Sequence, residues 1–235
     1  MNPAPFSQRA NPQIIRHTEG PLTDWLREYT RPLHRALDTS PMLHNLLRPE
    51  LSIADYATTL RALHQAHTRA ETCLQTLAHA RPPALPPYVA RSPALARDLL
   101  AVETLRANGT HTAPPSVHVS GTILAAASPA TDPPRVTHTD PHATYLGLRY
   151  VLEGASLGSR VIAQQLKKRW PEIEQHAFAY WGLQSELMQH WLGVCEQINS
   201  HPAGLHESSL LQGAETAYHC FLSVFRPETH DTTHL

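Results

Sequence analysis

The segment YVLEGASLGSRVI, residues 150–162, places Gly154, Gly158 and Ser159 in a stretch whose other residues favour a helix. An interior glycine costs a helix about 1 kcal/mol relative to alanine, so the pair must be offset by packing or by function. Two explanations stand side by side: a neighbouring helix packs closely there, or a flat ligand lies against the bared main chain. On a helical wheel Gly147, Val151, Gly154, Gly158 and Ile162 share one small, apolar side. Arg149, Glu153, Ser156, Arg160 and Gln164 share another, which is expected to face water. The same charges interrupt any apolar run, which excludes a membrane pairing motif.

His34 is the second group that could do chemistry, because a neutral imidazole ligates metals. It shares a helix side with Arg27, Arg31 and Leu37, so imidazole and guanidinium groups would line one pocket wall. A lone helical histidine is by default a surface residue or a hydrogen-bonded core residue. His64, His67 and Glu71 also share a face. A di-iron bundle, however, needs Glu-x-x-His on each of two helices, and that motif is absent. Glu186 with His190 and Glu215 with His219 read as solvated helix pairs. Neither G-x-S-x-G nor a phosphate-cradling glycine loop occurs, so hydrolase and nucleotide readings have no support. Cys73, Cys195 and Cys220 are widely spaced without a CxxC pattern, which points to idle or buried thiols in a reducing cytoplasm.

Apolar periodicity supplies the elements that must position these groups. Helices are expected at about 23–38 with Thr23 as N-cap, at 41–47, from Ser52 to about 80, at 92–107, 144–170, 171–199 and 207–225. Pro32 is expected to kink or split the first of these just before His34. Leu60, Leu63, Ala70, Leu74 and Leu77 form the stripe of the long third one. Residues 1–20 read as a tail, 108–141 as an irregular Pro/Thr-rich insertion whose VHVSGTILAA is a weak candidate strand, and 228–235 as a second tail. With no hairpin signal and no strand–helix alternation, the class is all-α: a single-domain multihelical bundle over 21–227. A net charge of -1 from 19 basic and 20 acidic residues leaves no basic stripe for nucleic acid. No apolar run of spanning or signal-peptide length occurs, so a cytoplasmic protein without a membrane partner is expected.

LTDWLREYTRPLHRALD, then LSIADYATTLRAL, and much later YLGLRYVLEGASLGSRVI together resemble the bacterial heme oxygenases, in particular the type associated with bacteriophytochromes. In that family a first-helix histidine ligates the heme iron, and a kinked glycine-rich helix covers the opposite face. The resemblance implies His34 as the metal ligand, Gly154 and Gly158 as the bare main chain over the heme, and Arg27 as a contact to a heme propionate. Ser159 stands where the family usually has a further glycine, and joins Gly154 and Gly158 as the catalytic set. The implied reaction is cleavage of heme, both substrate and cofactor, to biliverdin, CO and ferrous iron. It consumes O2 and electrons from an external reductase or ferredoxin-type donor, and a phytochrome would receive the biliverdin. Ala155 replaces the distal aspartate of animal enzymes, and Gln189-His190-Trp191 offers no basic clamp for propionates. Ser159 and Pro32 motivate the rival reading, a heme-binding or regulatory protein that keeps the fold without turnover.

Overall fold

The computed structural model describes residues 20–107, 140–201 and 205–226; the expected tails and nearly all of the 108–141 segment, with its VHVSGTILAA stretch, lie outside them. Every regular element among the described residues is helical: α1 (Leu22–Asp38), α2 (Pro41–Asn45), α3 (Ile53–Thr76), α4 (Ser92–Ala107), α5 (Pro141–Arg169), α6 (Pro171–His176), α7 (Ala179–Glu186), α8 (Met188–Asn199) and α9 (Glu207–Phe225). A single 3-10 turn, Ala78–Ala80, follows α3. The chain is therefore an all-α bundle, as its periodicity predicts. Among the described residues no helix is long and apolar enough to cross a membrane.

Helix α3 begins where its capping residue requires: the Ser52 hydroxyl accepts from the Asp55 N–H at 3.1 Å. The stripe from Leu60 to Leu77 is buried, and α3 packs against α4 and α9. Cys73 and Cys220, far apart in sequence, meet across the α3–α9 contact, where the Cys220 thiol hydrogen-bonds Cys73 and lowers its pKa to about 7.

Helix α1 corrects two expectations. Thr23 is not its N-cap, since the helix starts at Leu22 after Pro21. The cap comes instead from α8: Asn199 Oδ1 accepts the Thr23 N–H, and Asn199 Nδ2 donates to Thr23 Oγ1, each at 3.0 Å. Nor does Pro32 split the helix, which runs unbroken to Asp38. Pro32 and Glu28, whose carbonyl loses its helical donor, are both exposed, so water can replace the missing N–H.

The expected 171–199 helix is three pieces. Asp98 of α4, fully buried, accepts the N–H groups of Ala179 and Tyr180 at 2.8 Å each, and so starts α7 as a cap supplied from another helix. Burial raises the Asp98 carboxyl and these two hydrogen bonds lower it. The break at Leu187 puts Glu186 and His190 on different helices, so they are not a helix pair. Glu215 is half-buried and His219 exposed: burial raises the Glu215 carboxyl, and His219 pulls it back only in part.

Helix α5 also starts earlier than expected, at Pro141. Asp140 caps it by accepting the N–H groups of His142 and Ala143 at 3.0 and 3.1 Å, with proline at the first helical position. The face expected to be wet divides: Arg160 and Gln164 are exposed, whereas Arg149, Glu153 and Ser156 are buried. Arg149, Glu153 and Arg91 are inaccessible, and Glu153 accepts from Arg149 at 2.7 Å and from Arg91. Arg149 also donates to the Tyr145 hydroxyl at 3.0 Å and the Pro86 carbonyl at 3.2 Å, while Tyr88 lies 4.5 Å beneath the Arg91 guanidinium. A carboxylate between two guanidiniums, with backbone acceptors around them, is what allows these charges to leave water.

Candidate functional site

The backbones of α1 and α5 stay apart, with no Cα pair within 8 Å. Between them lies a cavity of about 670 Å³, closed elsewhere by residues of α2, α3, α7, α8 and α9. Every site residue singled out from the sequence lines it: Arg27 and His34 from α1, and Gly154, Gly158 and Ser159 from α5. The fold thus brings together groups separated by more than a hundred residues of chain.

His34 sits on the α1 wall with its ring edge-on to Tyr218, 6.2 Å between centroids. Its Nδ1 is 2.8 Å from Asp38 Oδ2, one turn on, and the two side chains are 61% and 62% exposed because the cavity is open here. A carboxylate on Nδ1 fixes the tautomer, orients the ring and leaves Nε2 for a ligand. Arg27 and Arg31 lie on the same wall, Arg27 paired with Asp24 at 2.8 Å and Arg31 with Glu28. Both pairs are exposed, so either guanidinium can exchange its partner for an incoming anion at little cost.

The α5 wall treats its glycines differently. At Gly158 no atom comes within 4 Å of where a Cβ would stand, so bare main chain faces the cavity. At Gly154 the position is met by the Trp191 indole, with Nε1 at 3.1 Å. Gly147, on the same wheel side, is outside the site altogether: its Cβ would stand 2.0 Å from the Leu210 carbonyl oxygen of α9. Close helix packing therefore accounts for Gly147, whereas at Gly158 the helix meets open space instead of a neighbour. Ser159 is nearly buried and donates its hydroxyl hydrogen to the Ala155 carbonyl at 2.8 Å. It offers lone pairs, not a proton, to its surroundings.

Beside Ser159 the wall carries groups that sequence reasoning missed. The Tyr180 hydroxyl accepts from Gln184 Nε2 at 2.9 Å, lies 3.2 Å from His67 Nε2, and has the Ser159 hydroxyl as a neighbour. Burial holds the Tyr180 phenol above its usual range, so it keeps its proton. Burial, aided by the Arg91 and His64 charges, depresses His67 to about 3, so the ring is neutral. Trp181 donates its indole N–H to Tyr56 at 2.9 Å and is fixed in the wall. Cys195 also faces the cavity, and burial pushes its thiol up to about 11.

Asp38 was readable as a carboxylate one turn after a candidate ligand. Tyr180, Trp181 and Trp191 carried no such signal, because the α6–α8 breaks that aim them inward are made by Asp98 and by packing, not by local residues. The His64–His67–Glu71 face is not a metal site: Glu71 is occupied by the start of α4, accepting the Arg91 N–H at 2.6 Å and the Ser92 hydroxyl at 2.5 Å. Among the described residues no cluster of three or more His, Cys, Asp or Glu could hold a metal ion.

Set beside known proteins, residues 20–227 match the family model described as Heme oxygenase. No curated protein and no solved structure matches the chain. The matched span contains both walls of the cavity and every helix described above, and the chain belongs to the heme oxygenase family.

Proposed function

We propose that the protein is a heme oxygenase of the bacterial type, cleaving heme to biliverdin, CO and ferrous iron with O2 and electrons from an external reductase or ferredoxin-type donor, and supplying biliverdin to a phytochrome. The observation that carries this reading is a facing pair: an imidazole on α1 and, across an open cavity of about 670 Å³, main chain at Gly158 with no atom within 4 Å of its absent side chain. That volume lies within the range of about 300–1,000 Å³ in which small ligands and cofactors are held.

The residues present fit a heme. His34, its Nδ1 held by Asp38, would be the axial ligand through Nε2. Arg27 and Arg31 would take the propionates by charge-assisted hydrogen bonds. When bound, heme supplies both the iron that activates O2 and the ring that is cut. The protein's part is to orient that ring and to control protons. Gly158 leaves bare main chain toward the cavity, and this backbone would lie close to a bound ring and limit which edge is open to attack. The Tyr180 hydroxyl, supported by Gln184 and His67, is the protonated group that this wall holds next to Ser159. Ser159 accepts but does not donate, so an ordered water bound there receives its orientation from the wall.

Adding hemin to the purified protein tests the binding half of this reading. A Soret band shifted by protein ligation, and lost or displaced in His34→Ala, is expected; no shift in the unaltered protein sinks it. Adding an electron donor under air tests the chemistry. The Soret band should decay while biliverdin absorption grows in, and its persistence would leave a heme-binding protein without turnover.

A further inference from the structure

We propose that Trp191 fixes the in-plane seat of the tetrapyrrole and thereby selects the meso carbon that is cleaved. This inference rests on the heme reading above and deepens it. Its ground is the unequal use of the two glycines that line the cavity.

Trp191 reaches across from α8 and lays its indole edge into the notch left by Gly154, with Nε1 at 3.1 Å and Cδ1 at 3.4 Å from the Cβ position. Contact this close leaves no room for a second ring at that turn. The indole is held from behind by Tyr150, at 6.1 Å between ring centroids. One turn along α5, at Gly158, the wall is open. A flat ring pressed against α5 is therefore free to slide until its edge meets Trp191. Ile162, one turn beyond Gly158, lines the cavity as well, so the ring's travel along α5 is bounded by the indole at Gly154 and the isoleucine side chain.

Charge then chooses which edge of the ring meets the indole. Trp191, Tyr150 and Val151 carry no charge of their own: burial pushes the Tyr150 phenol up to about 12, with the Arg27 and Asp24 charges of α1 acting on it in opposite senses. The arginines lining the cavity among the described residues are Arg27 and Arg31, both on α1. The negative face of an indole repels a carboxylate and burial there would strip its water, whereas an exposed guanidinium offers a bidentate partner. The propionates turn to the α1 arginines and an uncharged edge abuts Trp191, which together set how the ring is rotated over α5.

The test compares the unaltered protein, Trp191→Phe and Trp191→Ala, each loaded with hemin. Hyperfine-shifted heme methyl resonances of the ferric cyanide complex report the seat without any turnover, and chromatography of the biliverdin isomers reports the carbon cut. One set of resonances and one dominant isomer are expected for the unaltered protein and for Trp191→Phe. A second set and a second isomer are expected for Trp191→Ala, because the notch then admits the ring. Identical resonances and isomers in Trp191→Ala overturn the inference. If Trp191→Ala does not fold, Gly154→Ala replaces it: the added methyl pushes the indole into the cavity, and an unmoved methyl pattern overturns the inference equally. An unaltered protein that shows no Soret shift with hemin overturns the heme reading and this inference with it.

Discussion

At Gly147 the carbonyl oxygen of Leu210 lies 2.0 Å from where a Cβ would stand, whereas at Gly158, about three turns further along α5, nothing comes within 4 Å. The first half of the helix is packed on every side. Its Gly147 faces Gly213 of α9, whose own Cβ would strike the Thr144 carbonyl oxygen at 2.1 Å, and its charged face is locked into the Arg91–Glu153–Arg149 cluster. The second half has lost its neighbours on one side, and exposes Leu157 and Val161 near the cavity. The same residue type at the same helical cost serves opposite ends: close approach of two backbones, and an open stretch of cavity wall. The packed half is what makes the open half possible, because a helix stripped of contacts along one side needs an anchor elsewhere.

The contrast is most severely broken by removing the anchor's central charge. Glu153→Ala leaves Arg91 and Arg149 buried without a counter-charge, and should lower unfolding free energy by about 3–5 kcal/mol. A denaturant midpoint within error of the unaltered protein would show that the cluster does not anchor α5. Next in size is Gly147→Ala. The new methyl meets backbone that cannot rotate away, so α5 and α9 must separate, at a cost of about 3 kcal/mol.

Acid probes the boundary between the halves, where His67 backs Tyr180 in the cavity wall. Its folded pKa of about 3 lies below the ordinary value of 6.5, so the unfolded chain binds the proton more readily. The stability this contributes is complete above pH 6.5 and falls as pH drops toward 3. Between pH 6.5 and 5 the loss should reach about 2 kcal/mol. The groups around the ring are Glu71, Tyr180, Arg91, His64 and the Phe221 ring. Thermal melts over this range should show a shallower slope in His67→Gln than in the unaltered protein; equal slopes would remove His67 as the cause. Smallest in stability is Gly158→Ala. With open space for its methyl and a better helix former in place, it should be neutral or stabilising by up to about 1 kcal/mol. Hemin affinity or the isomer cut should change all the same, and a variant unchanged in both would show that the open half does not meet the ring.

Much of the fold was legible because local physics and burial agree. The stripe of α3 with its Ser52 cap, and the spans of α4 and α9, follow from spacing and capping residues alone. The Asp140-Pro141 start of α5 was equally local, though the first apolar residue drew the expected boundary too late. Of the site, the glycines stood out as residues that cost a helix, while His34 and Arg27 were singled out by a shared helix side and by the family resemblance. What those types did at each position was not readable. Gly147, Gly154 and Gly158 look alike on a wheel, and Arg149 and Glu153 look like a wet face. The wheel knows the side on which a residue points but not what comes to meet it there.

The sequence by itself determined an all-helical chain, the rough extent of its helices, and a small set of residues whose cost had to be met by something. Local hydrogen bonding, side-chain volume and periodicity suffice for that. Tertiary structure alone decided that Asp98 starts α7, that Asn199 caps α1, that two arginines share a buried Glu153, and that Trp191 fills one glycine notch while another stays open. Except for the Arg149–Glu153 half of that cluster, which lies within one turn of α5, each of these depends on a partner more than thirty residues away. A cap, a counter-charge or an occupying ring acts through distance in space, which no window of sequence contains.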